Sequence, residues 1–345
     1  MATRLRLATW NIEWFDALFA DDGRLLDDAA PARRHGVTRA DQAAAIGHVM
    51  AAVDADLMLI VEAPDISRSR SGSAALEGFA ARHGLRQRRV VTGYPSGTQQ
   101  ELALLLDPDV IAARHDPQGS AGGPGAPAFD RQFRWDIDAD GRAETHVFSK
   151  PPLEAEIRHL PSGQALRLIG VHAKSKAPHG ARDADDAMRI AIANRRKQLA
   201  QCHWIRLRVE AHLDAADPMV VLGDLNDGPG LDAYEALFGR SGVEIVLGVP
   251  DLPARQLVEP HAKAAMAPRR GPLPATARFF LAREDRFLNA LLDYVMLSAD
   301  LVAAGRPSWR IWHPFDDPAC FADAALRAAL LTASDHFPVS AELTM

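Results

Sequence analysis

Two stretches decide the fold of this chain: MVVLGDLN, at residues 219–226, and SDHFPVSAEL, at residues 334–343. The first is an apolar run that ends in a carboxylate and an amide, Asp224 and Asn226, which is typical of a buried strand followed by polar side chains. The second has an acid and a histidine directly before another strand-like run. Both stretches predict chemistry at a strand end, where the strand fixes the backbone and the loop exposes the side chain.

Other short apolar runs alternate with long helical patterns. The predicted strands are Arg6–Trp10, Leu57–Glu62, Glu101–Leu106, Leu166–His172, Met219–Gly223, Leu291–Leu297 and Val339–Leu343. Thr38–Val53 and Asp183–His212 are predicted helices, and Thr38 is suited to be an N-cap. Strands that alternate with helices indicate an α/β or α+β fold.

Polar residues recur at the ends of these strands, and together they suggest a metal-dependent site. They are Asn11, Glu13, Glu62, His172, Asp224, Asn226, Asp293, Asp335 and His336. One strand-end acid or amide alone is more often a turn former or helix cap. Carboxylates gathered at one place repel each other and need a cation, and oxygen ligands select Mg²⁺ or Mn²⁺ rather than zinc. Histidines beside such a metal supply hydrogen bonds or protons to a phosphoryl group.

Length and composition limit the possible number of domains, the surface charge and the location of the protein. The 345 residues suit two domains or one large α/β domain. The net charge of −6 excludes a surface that is basic all over. Two cysteines cannot form a disulfide framework, and neither a signal peptide nor a stretch that could span a membrane is recognisable, so we expect a cytoplasmic protein. The Pro/Gly-rich stretch at 117–127 is interpreted as part of a long loop near 115–143 inside one domain, residues 1–345.

The order of the motifs resembles the endonuclease/exonuclease/phosphatase superfamily, which has the DNase I-like fold. The motifs are TWNIEWF, LIVE, GVHAKSK, GDLND, LDYVMLS and SDHFPVSAEL, supported by FSKPPLEAEI (148–157) and RRKQ (195–198). The resemblance extends from Asn11 to Leu343. It implies a four-layer αββα sandwich in which two packed mixed sheets are flanked by helices and the site lies at one end.

The resemblance also implies a set of residues around a Mg²⁺ or Mn²⁺ ion. Glu62 would be the main metal ligand, with Asn11 and Glu13 beside it and Asp335 contributing to the same region. Many relatives have glutamine directly before the metal-binding glutamate, but here this residue is Val61. A neighbouring substrate contact is therefore in doubt.

The remaining site residues would perform the catalysis. Asp224 would orient and deprotonate the attacking water, and Asn226 would hold a phosphate oxygen. Asp293 would orient His336, and His172 would donate to the scissile phosphate. The implied activity is hydrolysis of a phosphate ester.

The sequence says less about the substrate. Between residues 66 and 90 there are six arginines and one acid, which gives this segment a charge of 6 − 1 = +5. Arg68 and Arg70 are candidate substrate-binding residues in this segment because arginine binds phosphates in a bidentate manner. The alternative is an ordinary solvated surface. Arg195 is a third candidate, because RRKQ resembles the Arg-x-x-Gln pattern of the family.

Three functions stay open at this point. A nuclease that acts on DNA or RNA is favoured by the complete site and the arginine segment. A phosphatase or phosphodiesterase for a small metabolite or a lipid headgroup is favoured by the acidic net charge. A catalytically silent binding protein on the same fold is the third. The oligomeric state is not predictable from these residues.

Overall fold

Two six-stranded sheets are built from the apolar runs and pack face to face. The computed structural model describes residues 3–67, 70–98, 100–119, 125–138, 140–230, 235–248, 252–267, 273–281 and 285–345. The strands of the first sheet, in pairing order, are β15 (Ser308–Ile311), β16 (Val339–Thr344), β1 (Arg4–Asn11), β2 (Leu57–Pro64), β4 (Gln100–Leu106) and β3 (Arg89–Thr92). Those of the second are β11 (Leu257–Val258), β14 (Asp293–Ser298), β10 (Met219–Asp224), β9 (Ala165–His172), β8 (Leu153–His159) and β5 (Ile111–His115).

Helices and two hairpins complete the fold. The described α-helices are α1 (Arg39–Val53), α2 (Gly72–Arg82), α3 (Ala184–Asp214), α4 (Gly242–Leu247), α5 (Pro260–Met266), α6 (Ala299–Gly305), α7 (Pro318–Ala322) and α8 (Ala324–Ala333). Short 3-10 helices lie at Phe15–Leu18, Glu235–Leu237 and Pro253–Arg255. The hairpins pair β6 (Phe133–Trp135) with β7 (Glu144–His146), and β12 (Ala277–Leu281) with β13 (Arg286–Ala290).

The apolar side chains divide into a core between the sheets and a core on each outer face. Leu59 and Leu104 of the first sheet belong to the same buried cluster as Leu168 and Leu222 of the second. Helices α1, α2 and α8 cover the outer face of the first sheet, and α3 and α4 cover that of the second. The predicted four-layer αββα sandwich is therefore confirmed.

Both predicted helices are present, and the predicted N-cap Thr38 caps α1, while Asp183 caps α3. The Thr38 hydroxyl accepts from the backbone N–H of Asp41 over 3.1 Å, and the Asp183 carboxylate accepts from that of Asp186 over 2.8 Å. Such caps satisfy backbone donors that the first helical turn leaves unpaired.

Strand directions bring the polar strand ends to one end of the sandwich. β1 and β2 run parallel, as do β9 and β10. Asn11, the last residue of β1, lies opposite Val61, the residue before Glu62, and Asp224 lies directly opposite His172. β14 runs antiparallel to β10, and its first residue, Asp293, lies opposite Asp224. Residues that are far apart in the sequence therefore meet at one rim.

Two expectations need adjustment. The predicted strand Leu291–Leu297 begins at Asp293, two residues later. The long loop near 115–143 contains β6, and its Phe129 and Phe133 pack on Trp204 of α3. The loop is therefore partly anchored on the second sheet's outer layer.

In the described part of the chain, no helix combines the length and the apolar character needed to cross a membrane.

Candidate active site

Asp224 is the central carboxylate of the site. It is the last residue of β10 and almost completely buried. The Asn11 side-chain amide donates to Asp224 Oδ2 over 2.9 Å, and the backbone N–H of Asn226 donates to Oδ1 over 2.7 Å. Burial, followed by the neighbouring charge of Asp293, raises the pKa of Asp224 to about 7. A carboxyl group with that pKa is suited to accept a proton near neutral pH.

His336 lies against a second buried carboxylate. Its Nδ1 atom is 2.8 Å from Asp293 Oδ2, and that oxygen also accepts from the Thr276 hydroxyl over 2.8 Å. Burial alone would lower the pKa of His336, but the Asp293 carboxylate, with Asp224 and Asp335, raises it well above 6.5. His336 is therefore held as a cation that can donate from its other nitrogen.

His172 faces a cation instead. Lys150 Nζ lies 3.2 Å from His172 Nδ1, and His172 Nε2 lies 3.8 Å from Asp224 Oδ2. Burial, followed by the charges of Lys150 and His336, lowers the pKa of His172 well below 6.5. His172 is therefore neutral and carries a single N–H.

Glu62 lies on the other side of the cleft, at a β-bulge between β2 and β4. Its Oε2 atom accepts from the backbone N–H of Trp14 over 3.0 Å and from the Gln100 side-chain amide over 2.6 Å. Burial raises the pKa of Glu62, and the Trp14 N–H and the charges of Lys150 and His336 only partly offset that increase. The half-buried carboxylate is thus incompletely neutralised by the described residues.

Three of the seven non-glycine residues with positive φ in the described part of the chain lie at this site. Trp14, Glu62 and Asn226 have φ values of 58°, 66° and 50°, in the left-handed region that non-glycine residues rarely adopt. Gly223 has a φ of 131°, and a Cβ atom there would lie 2.0 Å from the carbonyl oxygen of Val171. Such strain persists only where the surrounding structure enforces it, and functional sites are where it clusters.

The remaining predicted metal-region residues lie around Ser334. The Ser334 hydroxyl donates to the carbonyl oxygen of Asn11 and accepts from the backbone N–H groups of Glu13 and His336. Glu13 forms an ion pair with Arg34. Burial, followed by the charge of Asp335, raises the pKa of Glu13. Ser334 therefore ties the segment after β1 to the segment before β16.

The donor set fits a divalent metal ion. Both described hydrogen bonds to Glu62 end on Oε2, which leaves Oε1 for a cation. Asn11 Oδ1 is buried and has no hydrogen-bond donor among the described residues. Asp224, Asp293 and His336 each contribute an atom to a group whose members lie within 4.8 Å of one another, so a possible acidic metal site exists here. Carboxylate and amide oxygens are the ligands that Mg²⁺ and Mn²⁺ prefer.

The predicted substrate-binding arginines are less directly connected to the cleft. Arg70 is buried, and its guanidinium donates to Asp65 over 2.7 Å and to the carbonyl oxygen of Phe19 over 3.0 Å. Arg195 is buried on α3 and lies 3.5 Å from Asp227, the residue after Asn226. Arg68 lies outside the described residues.

Three other arginines of the +5 segment, Arg82, Arg86 and Arg88, pair with acids. Arg86 binds Asp54 and Asp107, and Arg88 binds Asp109 over 2.7 Å. Asp54 and Asp107 lie near the start of β2 and the end of β4, at the rim opposite to Glu62. The local excess of positive charge in the sequence is therefore largely compensated in the fold.

Sequence reasoning missed three residues of the site: Lys150, Gln100 and Thr276. Lys150 is the third residue of the FSKPPLEAEI motif, so the sequence contained a signal for it. Gln100 begins β4 and Thr276 precedes β12, and neither stands in a distinctive pattern.

Comparison with known proteins identifies the family. A model of the Endonuclease/Exonuclease/phosphatase family matches residues 8–336. The chain belongs to this family. Members of the family are phosphoric ester hydrolases, so the chain is an enzyme of that class, and the silent binding protein is not favoured. No match was found among curated proteins.

Solved structures of the endonuclease/exonuclease/phosphatase family share the fold. Truncated Caenorhabditis elegans TDP2 is 16% identical, with a TM-score of 0.52, and the match covers 99% of this chain and 98% of that chain. The endonuclease/exonuclease/phosphatase from Bacteroides vulgatus is 14% identical, with a TM-score of 0.50, and the match covers 99% of this chain and 98% of that chain. Humanized D. rerio TDP2 is 12% identical, with a TM-score of 0.50, and the match covers 99% of each chain. At such low identity these likenesses concern the fold alone.

Proposed function

We propose that this endonuclease/exonuclease/phosphatase family member is a Mg²⁺- or Mn²⁺-dependent phosphodiesterase that cleaves DNA or RNA. The observation that carries the hydrolytic part is the meeting of Asp224, His336 and His172 at one rim, with 2.8 Å between His336 and Asp293 and 3.8 Å between His172 and Asp224. A base and two imidazole donors around one space are what in-line displacement at phosphorus requires.

In this proposal the residues act as follows. Asp224 accepts a proton from the attacking water as the water oxygen bonds to phosphorus and the bond to the leaving oxygen breaks. The cationic His336 and the neutral His172 donate hydrogen bonds to phosphate oxygens, where negative charge increases in the transition state. Asn226 positions the Asp224 carboxylate through its backbone N–H.

Glu62 and Asn11 would hold the metal ion, with Glu13 and Asp335 near it. When bound, the ion would supply Lewis-acid stabilisation of the phosphate oxygens. Two observations support this assignment: Asn11 Oδ1 has no hydrogen-bond donor among the described residues, and the raised pKa of Glu62 indicates incomplete neutralisation.

An aromatic surface beside the site supports a nucleic-acid substrate. Arg278 of β12 donates its backbone N–H to the carbonyl oxygen of Asp335 over 2.8 Å, which joins the hairpin to the segment that contains His336. Phe280 and Phe287 are 55% and 49% exposed, and their ring centroids are 5.2 Å apart. The Arg278 guanidinium lies 3.6 Å from the centroid of Phe287. Aromatic faces with an adjacent arginine are what single-stranded nucleic acids stack on.

The test compares a polymer with a small diester. With Mg²⁺ or Mn²⁺, wild-type protein should cleave single-stranded oligonucleotides and methyl p-nitrophenyl phosphate. The double variant Phe280→Ala, Phe287→Ala should lose about 10- to 100-fold in kcat/KM on the oligonucleotide, because base stacking contributes about 1–3 kcal/mol per base. Its activity on the small diester should change by less than about twofold, since that substrate does not reach the hairpin.

Phe321 of α7 provides the matched control, because it is 52% exposed and its ring also lies beside an arginine, Arg327 of α8. Phe321→Ala should leave both activities unchanged. Wild-type protein that hydrolyses the small diester but leaves DNA and RNA intact would exclude the nuclease.

The second candidate is a phosphodiesterase or phosphatase for a small metabolite or lipid headgroup. The net charge of −6 favours it, because long polyanions are repelled by an acidic protein. Release of phosphate or a headgroup from a panel of phosphosugars, nucleotides and phospholipids, without cleavage of nucleic acid, would support this candidate.

A further inference from the structure

Lys150 and Gln100 connect the two halves of the site. Lys150 Nζ lies 2.7 Å from Gln100 Oε1 and 3.2 Å from His172 Nδ1. Gln100 Nε2 in turn donates to Glu62 Oε2 over 2.6 Å. A chain of three contacts thus runs from the carboxylate of the first sheet to the imidazole of the second, and we call it the Gln100–Lys150 bridge.

The bridge determines hydrogen-bond roles at both of its ends. Lys150 Nζ lies 3.2 Å from Nδ1 and 3.5 Å from Nε2 of His172. An ammonium group only donates, so the shorter contact favours Nδ1 as the acceptor and leaves the single proton of the neutral ring on Nε2. Nε2 is the atom that faces Asp224. At the other end, the amide orients Glu62 so that Oε2 is engaged and Oε1 is left for a cation.

Gln100 brings an amide to Glu62 from a neighbouring strand. The sequence lacks the glutamine that many relatives have before the metal-binding glutamate, and Val61 is completely buried. The structure supplies an amide to Glu62 from β4, the neighbouring strand, where β2 and β4 shift register.

We propose that Gln100 and Lys150 are positioning residues: Gln100 orients Glu62 for the metal ion, and Lys150 fixes the Nε2–H tautomer of His172. This inference rests on the proposed phosphodiesterase activity. The two residues act on different partners, so replacement of Gln100 should change metal affinity and replacement of Lys150 should change the His172 tautomer. Groups that orient a metal ligand typically cost 10–100-fold in metal affinity or activity when removed.

Two measurements without substrate test the proposal directly. Isothermal titration of Mn²⁺ should show that Gln100→Ala raises Kd by about 10- to 100-fold. Lys150→Met should leave Kd unchanged or lower it, because removal of a nearby cation favours a bound cation. In ¹⁵N-histidine NMR spectra, wild-type His172 should have the signature of the Nε2–H tautomer, and Lys150→Met should lose it. His172→Gln identifies the resonance.

Turnover of methyl p-nitrophenyl phosphate provides the functional test. Lys150→Met should lower kcat by about 10- to 100-fold, whereas Lys150→Arg, which retains a donor, should recover a substantial part of that loss. Lys263→Met, a replacement of an exposed lysine on α5, is the matched control and should leave kcat and Kd unchanged.

Two results would overturn the proposal: an unaltered tautomer and kcat in Lys150→Met, or an unaltered Mn²⁺ affinity in Gln100→Ala. Loss of kcat in Lys150→Met and Lys150→Arg alike, with the wild-type tautomer retained in both, would also count against it. Absence of turnover in the wild-type protein would reject the proposed function instead, and the NMR and Mn²⁺ results would still decide the positioning roles.

Discussion

His172 and His336 are both buried at strand ends beside Asp224, yet their surroundings impose opposite protonation states. Burial acts in the same direction on both and lowers their pKa values. At His336 the Asp293 carboxylate, 2.8 Å away, reverses that effect, whereas at His172 the Lys150 ammonium, 3.2 Å away, reinforces it. At His336 the carboxylates, Asp293 first, therefore overcome burial, whereas at His172 burial and the charge of Lys150 act together to keep the ring neutral.

Because of this difference, the two histidines have different roles in the proposed reaction. His336 brings a positive charge to the site and donates with an N–H that stays protonated at neutral pH. His172 brings one N–H and no charge, which avoids repulsion from Lys150. A phosphate between them would meet one ionic and one neutral donor, and the ionic hydrogen bond is the stronger of the two.

Removal of the charge behind His336 should have the largest effect. Asp293→Asn preserves shape but withdraws the carboxylate that keeps His336 protonated and in one orientation. We expect kcat on methyl p-nitrophenyl phosphate to fall by about 10³–10⁴-fold, by analogy with the same exchange behind a catalytic histidine in serine proteases. Steady-state kinetics at saturating metal will measure it.

The chain contains a matched control for this exchange. Asp217 lies 2.9 Å from His212 Nδ1 at the end of α3, away from the site. Asp217→Asn should change kcat by less than about twofold, since no reacting group is involved. If both exchanges reduced kcat to the same extent, the effect at Asp293 would be one of folding and the comparison of the two histidines would fail.

The strand-end residues were predictable because each lies at one end of an apolar run or directly before one, and such runs form buried strands regardless of tertiary detail. The meeting of Asn11, Glu62, His172, Asp224 and His336 then follows from parallel and antiparallel strand directions, which the resemblance to a known fold supplied. The positive charge of residues 66–90 was a poorer guide to a substrate-binding surface. Net charge in a sequence window does not reveal the partners that the fold provides, such as Asp54 for Arg86.

Lys150 and Gln100, in contrast, could not be identified as site residues from the local sequence. Lys150 lies in a loop before β8 and Gln100 at the start of an ordinary strand, so their importance arises only from contacts across the sheets. Thr276, whose hydroxyl donates to Asp293, is similarly invisible to local pattern. Side chains that orient other side chains have no spacing rule, because their partners come from distant parts of the chain.

The pH dependence of catalysis should distinguish the two histidines. Asp224 must be ionised to accept a proton, and its pKa is raised to about 7 by burial and by Asp293. Below that pH we expect kcat/KM to fall about tenfold per pH unit. The His336 cation lowers the pKa of Asp224, so His336→Gln should move this limb to higher pH. His172→Gln should leave its midpoint in place, because the neutral ring exerts no such charge.

Equal shifts in both variants would show that the limb reports a general disturbance of the cleft. Asp224→Asn should abolish the limb in either background, which identifies the group that titrates.

The smallest expected effect is on folding stability, and it has opposite signs for the two histidines. The folded-state pKa of His336 is raised, so its contribution to stability is complete below about pH 6.5 and is lost as pH rises through the folded-state pKa. The folded-state pKa of His172 is lowered, so the unfolded chain binds a proton first, and stability falls as pH drops below about 6.5. Each slope is at most about 1.4 kcal/mol per pH unit.

Urea unfolding of the metal-free protein between pH 5 and 9 should show that His336→Gln removes the alkaline slope and His172→Gln the acidic one. Loss of the same slope in both variants would mean that the two rings share one protonation state, and the contrast between Asp293 and Lys150 would then have no consequence for the protein.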